Sequence, residues 1–293
     1  MNGTPSEPVA AGCCDMHLHS DFSDGSETPE RIVELAVEAG LSAAVLTDHD
    51  TMAGVPRFLA AARAAGLRAM PGLEISADVP GRTVHMLAYG CDAEEPRLAA
   101  ALERVRTSRE ARNAEIVAKL VRLGAPVSMD DVRAEAGSGV VGRPHIAAAL
   151  VRKGFASDRA DAFGRFLARG APAYADRYRL APKEAIALVR GAGGVAVLAH
   201  PTTTGYGGAE LRAFVADLAE AGLGGMECLY SGHAPPQVEE YVAIARDLGL
   251  AVTGGTDFHG ANKPNVKIGI AYGRLRVREE AFDGILARLP RFE

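Results

Sequence analysis

The chain carries the sequence CCDMHLHSDFSDG at residues 13–25. Its first half is an apolar run with polar side chains at every second position, which is typical of a buried β-strand. Because strand side chains alternate between two faces, Asp15, His17 and His19 lie on one face. Asp24 follows in a turn that contains Ser23 and Gly25. Two imidazoles and a carboxylate this close can converge on one cation, although a polar strand end with hydrogen-bonded histidines gives the same pattern.

Short apolar runs and helical patterns alternate around this stretch. The predicted strands cover residues 12–17, 42–47, 68–76, 83–89, 194–199, 225–229 and 250–254. Helical patterns separate most of them, beginning with a helix that Thr28 caps and Pro29 opens. Seven strands with helices between them predict a parallel α/β fold, either a barrel or a doubly wound sheet.

The alternation stops between residues 92 and 172, where helical patterns occur without a convincing strand. We therefore predict an all-helical insertion domain at 92–172, inside an α/β domain formed by 12–91 and 173–293. Residues 1–11 lack the basic region and apolar core of a signal peptide and are predicted to be a disordered tail. The charges of the long helix at 95–123 are interpreted as a solvated face, and Arg177 and Arg179 as surface charge.

Composition excludes several classes of protein. The 293 residues include 48% hydrophobic and 24% charged residues, which are ordinary globular values, and the net charge of −5 argues against a protein that coats nucleic acid. The four cysteines form no CxxC pair and are expected to be reduced thiols in a cytoplasmic protein. No apolar run is long enough to span a membrane, so no membrane partner is expected.

Six of the eight histidines lie at predicted strands or just beyond their ends, which in parallel α/β folds is where active sites are built. Two aspartates and Glu74, a carboxylate inside an apolar strand, complete the set. The candidate metal ligands are His17, His19, Asp24, His49, Glu74, His85, His200, Asp257 and His259. Because one zinc ion takes about four ligands, nine suit two or three ions that share ligands. Imidazole-rich sites favour zinc, manganese or iron over magnesium.

This pattern resembles the PHP (polymerase and histidinol phosphatase) domain. The matching motifs run from Asp15-x-His17-x-His19 through Thr47-Asp48-His49, Glu74, His85 and Ala199-His200-Pro201 to Asp257-x-His259. The resemblance covers residues 13 to about 275. It implies a distorted seven-stranded (β/α) barrel, metal-dependent phosphoesterase activity and a trinuclear site held by the same nine residues, with Glu74 as the bridging carboxylate. Asp15 and Asp48 are placed to orient the ligands.

The helical insertion with Gly142-Arg143-Pro144-His145 resembles the PHP subgroup that acts on nucleoside monophosphates, nucleoside 3′,5′-bisphosphates or RNA 5′ ends. We therefore predict hydrolysis of a nucleotide phosphomonoester, with a metal-bridging hydroxide as nucleophile. The predicted substrate contacts are Arg143, His145, Lys263 and His233. The segment 172–179 departs from the subgroup, which usually has a Pro-Ala-Tyr-Val-Pro-like sequence there.

Three other functions remain open at this stage. They are 5′-to-3′ exoribonuclease activity on short RNA, histidinol-phosphate phosphatase activity and a non-catalytic role as a metal-binding accessory module. A covalent serine mechanism is not expected, because the chain has no GxSxG nucleophile elbow.

Overall fold

The computed structural model describes residues 12–79, 82–136, 140–271 and 275–290. The tail predicted at residues 1–11 lies outside these ranges. The chain divides into two compact units. The first contains the residues up to Ala99 together with those from Leu180 onward, and the second contains Ala100–Arg179.

The first unit holds nine strands within the described residues, in two sheets. They are β1 Cys13–Leu18, β2 Ala43–Leu46, β3 Arg68–Ala69, β4 Gly72–Val79, β5 Arg82–Tyr89, β6 Val195–Leu198, β7 Gly225–Tyr230, β8 Ala251–Gly255 and β9 Val277–Arg278. One sheet has the order β3-β2-β1-β9 and the other β4-β5-β6-β7-β8. Isolated bridges from Leu18 to Phe258 and from His49 to Glu74 connect the sheets.

The mixed α/β character predicted from the sequence is confirmed, but an all-parallel arrangement is wrong. The pairs β4–β5, β5–β6 and β1–β9 are antiparallel, whereas the other four are parallel. Only two residues separate β4 from β5, and so short a connection joins antiparallel strands. The predicted strand at 68–76 is divided near Pro71, which has no N–H for a sheet ladder. β9 was missed because two residues are too short to show a period.

Ten α-helices lie in the described ranges. They are α1 Pro29–Glu38, α2 Val55–Ala65, α3 Pro96–Arg122, α4 Met129–Ala136, α5 Arg143–Arg152, α6 Arg159–Ala162, α7 Pro182–Gly191, α8 Gly208–Glu220, α9 Pro235–Asp247 and α10 Glu280–Leu286. Thr28 caps α1 as predicted, since its hydroxyl accepts the N–H of Arg31. No helix of this set is long and apolar enough to cross a membrane.

Each unit has its own apolar core. In the first unit, one cluster joins β1 and β2 to α1 and α2 through side chains such as Leu18 and Phe58. A second cluster joins side chains of both sheets, including Met16 and Val197. The core of the second unit comes from α3 to α6 and the segments around them, and between residues 100 and 179 the described part contains no strand. The four cysteines are buried free thiols.

Candidate metal centre

The nine predicted ligands come together in the first unit. Four groups place their ligand atoms within 4.8 Å of one another: His19 with Asp24, His49 and His259; His17 with His19 and Asp257; His17 with Glu74 and His200; and His49 with Glu74 and His85. Among the described residues, these groups contain all nine predicted ligands and no other side chain. His17, His19, His49 and Glu74 each belong to two groups, which is the arrangement that neighbouring ions with shared ligands require.

Glu74 lies at the middle of this arrangement and is 1% exposed. Its Oε2 atom lies 3.1 Å from His17 Nε2 and 3.2 Å from both His19 Nε2 and His49 Nδ1. Its Oε1 atom lies 2.8 Å from His85 Nδ1 and 2.9 Å from His200 Nε2. The two oxygens therefore face two different sets of imidazoles. A carboxylate placed in this way can bind two ions at once.

Two aspartates complete the centre on the side of His19 and His259. Asp257 Oδ1 lies 3.3 Å from His19 Nε2 and 3.3 Å from His259 Nδ1. Asp24 Oδ1 lies 3.2 Å from His259 Nε2. Asp24 is the most exposed of the three acidic ligands, with 35% of its side chain accessible, so this edge of the centre is open to solvent.

The charges of the centre depend on burial and on neighbouring groups. Burial alone would raise the pKa of Glu74, but the imidazoles of His49, His85 and His17 hold that pKa well below its ordinary value. Burial lowers the pKa of His49 to about 3, so its ring is neutral at physiological pH. Burial lowers the pKa of His19, but the neighbouring carboxylates of Asp257 and Glu74 raise it to about 9, so an ion bound there would displace a proton from that ring.

Several buried nitrogen atoms also fit a metal. His19 Nδ1 and Nε2, His49 Nδ1 and His85 Nδ1 make no hydrogen bond within the described part of the chain. Carboxylate oxygens lie near them, but the angles do not satisfy hydrogen bonding. Buried polar atoms without a partner are rare and call for an explanation, and an ion at the centre supplies one.

Asp15 and Asp48 hold the backbone of the ligand-bearing loops. Asp15 accepts hydrogen bonds from the N–H and hydroxyl of Thr256 and from the N–H of Gly269, which fixes the segment that carries Asp257. Asp48 accepts hydrogen bonds from the hydroxyls of Ser20 and Ser23, each at 2.6 Å. It thereby fixes the turn that carries Asp24. Neither aspartate is hydrogen-bonded to a histidine ring among the contacts within the described ranges.

The sequence analysis missed Glu227, which contacts a ligand ring directly. This residue of β7 is completely buried, and its Oε1 lies 2.8 Å from His17 Nδ1. Its Oε2 accepts the backbone N–H of His200 at 2.7 Å. The sequence could have identified Glu227 by the same signal as Glu74, namely a carboxylate within an apolar strand.

Backbone geometry at the centre is unusual at two ligands. His200 has φ 22° and Asp257 has φ 58°, values that side-chain-bearing residues rarely adopt. Such conformations cluster at functional sites, where the surrounding structure enforces them. Gly255 lets β8 approach β1, because a Cβ atom there would collide with His17.

The predicted substrate contacts fall into two groups. In the first unit, Lys263 Nζ lies 2.6 Å from Asp257 Oδ2, beside the metal centre. His233 donates from Nδ1 to the carbonyl of Cys228 at 2.9 Å, and its Nε2 is buried. In the second unit, Arg143 opens α5, and His145 Nδ1 accepts the N–H of Gly142 at 3.0 Å. Substrate binding by these four residues stays a prediction.

Comparison with known proteins assigns the family. The sequence profile of the PHP domain matches residues 15–127. The 5′-3′ exoribonuclease of Haemophilus influenzae is 34% identical over 245 residues, which are 84% of this chain and 89% of that protein. The chain belongs to the PHP family. Another member, the 3′,5′-nucleoside bisphosphate phosphatase of Chromobacterium violaceum, is 31% identical over 87% of this chain and 90% of its own length.

A solved structure agrees with this assignment. The crystal structure of a candidate metal-dependent phosphoesterase from Bifidobacterium adolescentis has a TM-score of 0.82 and 35% identity, and the match covers 98% of this chain and 99% of that one. The PHP resemblance inferred from the motifs is therefore confirmed. This PHP protein is a metal-dependent phosphoesterase, a hydrolase of phosphoric ester bonds.

Proposed function

We propose that this PHP protein removes phosphate from a small nucleotide, either a nucleoside 5′-monophosphate or a nucleoside 3′,5′-bisphosphate. The observation that carries the proposal is the set of four ligand groups joined by shared residues, with Glu74 between them. The name of the Chromobacterium violaceum relative supports a nucleotide bisphosphate as substrate.

The metal content and the barrel belong to the same proposal. We expect two or three ions of manganese, zinc or iron, because six of the nine ligands are imidazoles. The bridge His49–Glu74 joins the residues after β2 to β4, and the bridge Leu18–Phe258 joins β1 to the residues after β8, so the two inner strands of the first sheet meet the two ends of the second sheet. They support a distorted seven-stranded barrel made of β1, β2 and β4 to β8, with β3 and β9 as short additions.

The residues of the chain have distinct tasks in such a reaction. Bound ions would supply activated water at neutral pH and would neutralise the charge of the phosphate oxygens. Glu74 holds the ligand groups at a fixed separation, and Glu227 fixes the ring of His17. Lys263 places a positive charge beside Asp257, where it can attract an anionic substrate.

The test combines elemental analysis with a panel of substrates. Protein purified from medium supplemented with manganese, zinc or iron is expected to hold two or three ions per chain. Phosphate release is then measured with nucleoside 5′-monophosphates, nucleoside 3′,5′-bisphosphates and histidinol phosphate. We expect a nucleotide to be hydrolysed with the highest kcat/KM. The proposal is refuted if the purified protein holds no metal and releases phosphate from none of these compounds after manganese, zinc or iron is added.

A second candidate is a 5′-to-3′ exoribonuclease that acts on short RNA, which the name of the Haemophilus influenzae relative favours. A short RNA labelled at its 3′ end distinguishes the two functions. An exoribonuclease shortens it one nucleotide at a time from the 5′ end, whereas a phosphatase removes only a terminal phosphate and leaves the length unchanged.

A further inference from the structure

The two carboxylate oxygens of Asp257 have different kinds of neighbour. Its Oδ1 atom lies 3.3 Å from His19 Nε2 and 3.7 Å from His17 Nε2. Its Oδ2 atom accepts a hydrogen bond from the hydroxyl of Tyr230 at 3.0 Å and another from Lys263 Nζ at 2.6 Å. Oδ1 therefore faces ligand nitrogens, whereas Oδ2 is engaged in hydrogen bonds.

A bulge in β7 turns Tyr230 towards Asp257. The pairing of β7 with β8 shifts by one residue between Glu227 and Leu229. Such a shift is a β-bulge, in which two residues of one strand oppose one residue of the other. In a regular strand Glu227 and Tyr230, which are three positions apart, would point to opposite faces. The bulge allows both side chains to contact ligands of the metal centre.

Packing fixes the position of the Tyr230 hydroxyl. The centroid of its ring lies 5.3 Å from that of His200 and 5.0 Å from that of His233. The ring of His233 is held in turn by a hydrogen bond from its Nδ1 to the carbonyl of Cys228. Gly232 leaves room for the tyrosine, because a Cβ atom there would lie 2.8 Å from Tyr230 Cε1. Since a tyrosine side chain has few rotatable bonds, a packed ring places its hydroxyl at one point.

Lys263, the other donor to Oδ2, is held less firmly than Tyr230. Its side chain is 40% exposed, and a lysine ammonium group sits on a long flexible stem. An anionic substrate would attract this charge away from Asp257. The Tyr230 hydroxyl is neutral, and burial together with the carboxylate of Asp257 raises its pKa, so it stays protonated and donates. Tyr230 is therefore the fixed partner of Oδ2.

We propose that Tyr230 is a positioning residue of the metal centre, whose hydroxyl holds Asp257 Oδ2 so that Oδ1 alone is offered to an ion. The backbone of this ligand is fixed separately, because Asp15 accepts the N–H of Thr256. Tyr230 completes this arrangement by fixing the orientation of the side chain, as partners of metal ligands do in other proteins. The proposal rests on the metal content in the proposed function and not on the choice of substrate.

This role predicts an effect on one ion and not on all of them. Asp257 forms a ligand group with His17 and His19, whereas the group around His85 does not contain it. Loss of the Tyr230 hydroxyl should weaken the ion at Asp257 by about 10–100-fold, the usual effect of removing a group that orients a ligand. The other ions should change by no more than about twofold, because their ligands keep their contacts.

The test is a stepwise titration of the full chain with cobalt(II), after a chelator has removed metal ions and has itself been dialysed away. Cobalt(II) is the probe because its visible absorption depends on the number and arrangement of its ligands. Wild type is compared with Tyr230→Phe, which keeps the ring and removes only the hydroxyl. We expect one binding step to weaken by about tenfold or more, and the absorption of that step to change, because Asp257 takes another orientation.

Tyr206→Phe is the matched control, since it is the same substitution in the same unit. The ring of Tyr206 packs against Phe214 and Arg82, and in the described part of the chain its hydroxyl makes no hydrogen bond. Its cobalt affinities and spectrum should equal those of wild type.

Lys263→Met is a second variant, which removes the other donor to Oδ2 together with a positive charge. If Tyr230 holds the carboxylate, cobalt affinity should stay at the wild-type value or rise, because a charge that repels cations has been removed. A loss of about tenfold in Lys263→Met would mean that the lysine holds Oδ2, and would overturn the proposal.

Three results with the other proteins would also overturn it. They are unchanged affinities and spectra in Tyr230→Phe, an equal loss at every binding step in that variant, and a wild-type chain that binds no cobalt. Circular dichroism checks that each variant is folded, and if Tyr230→Phe is not, the sign of the change in Lys263→Met decides. Cobalt binding as expected in a protein that hydrolyses no nucleotide would refute the proposed function and leave the role of Tyr230 intact.

Discussion

Glu227 determines which nitrogen of His17 is available to a metal ion, and the change Glu227→Gln tests this role. Both of its carboxylate oxygens are engaged, one with His17 Nδ1 and one with the N–H of His200. An amide of the same size must turn its NH₂ group towards one of these partners. If the NH₂ group faces His200, it points at the backbone N–H of that residue, so two donors oppose each other. If the NH₂ group faces His17, Nδ1 must accept a hydrogen bond from it. The ring proton then moves to Nε2, the atom that lies 3.1 Å from Glu74.

The expected loss follows from either orientation. Removing a partner that orients a metal ligand typically weakens metal affinity by about 10–100-fold, or about 1.4–2.8 kcal/mol. A competition titration against a chromophoric chelator measures this affinity directly, without relying on activity. Glu220→Gln on α8 is the control, because Glu220 is exposed and the substitution removes the same negative charge. Wild-type metal affinity in Glu227→Gln would refute the reasoning.

Three other outcomes test the centre. Glu74→Gln should lose bound metal and phosphoesterase activity together, because one carboxylate faces five imidazoles; elemental analysis and phosphate release would contradict this if both stayed at wild-type values. Gly255→Ala should lower the free energy of unfolding by about 1–3 kcal/mol, because its Cβ would collide with His17; an unchanged urea midpoint would count against the close approach of β8 to β1. Removing metal with a chelator should lower the thermal midpoint, since ions present at 100 times their Kd stabilise the fold by about 2.7 kcal/mol. Equal midpoints with and without metal in calorimetry would mean that ions do not bind the folded chain more tightly than the unfolded chain.

The ligand residues could be predicted because strand geometry is simple. His17 and His19 share a face by alternation, and residues after strand ends meet at one edge of a sheet. His49 and Glu74 are distant in sequence, but each follows or lies in a strand of this kind, and the bridge between them places them together. Position along a strand was therefore enough to nominate them, without any knowledge of sheet order.

Sheet direction could not be predicted in the same way. β5 and β6 are antiparallel, although residues 90–194 lie between them and include the whole second unit. A short turn restricts strand direction, but a long connection does not. Side-chain periodicity is identical in the two directions, so the apolar runs at β5 and β6 carried no information about it.

Arg112 shows that a polar residue within an apolar stripe carries more information than its charge. The buried apolar residues of α3 recur at helical spacing, at Leu98, Leu102, Val105, Ile116 and Leu120. Between Val105 and Ile116 the same spacing passes through Arg109 and then Arg112, so the stripe is continued there by guanidinium groups. Arg112 is 6% exposed, so the solvated face predicted for the charges of this helix is wrong at that residue. Counting charges on the helix hides this feature, whereas following the stripe reveals it. Glu74 and Glu227 interrupt apolar strands in the same way. Because burying such groups costs free energy, a sequence that places them in a core register indicates that each has a polar partner in the core. For Glu74 these partners are five imidazoles, and for Glu227 they are the ring of His17 and the backbone N–H of His200.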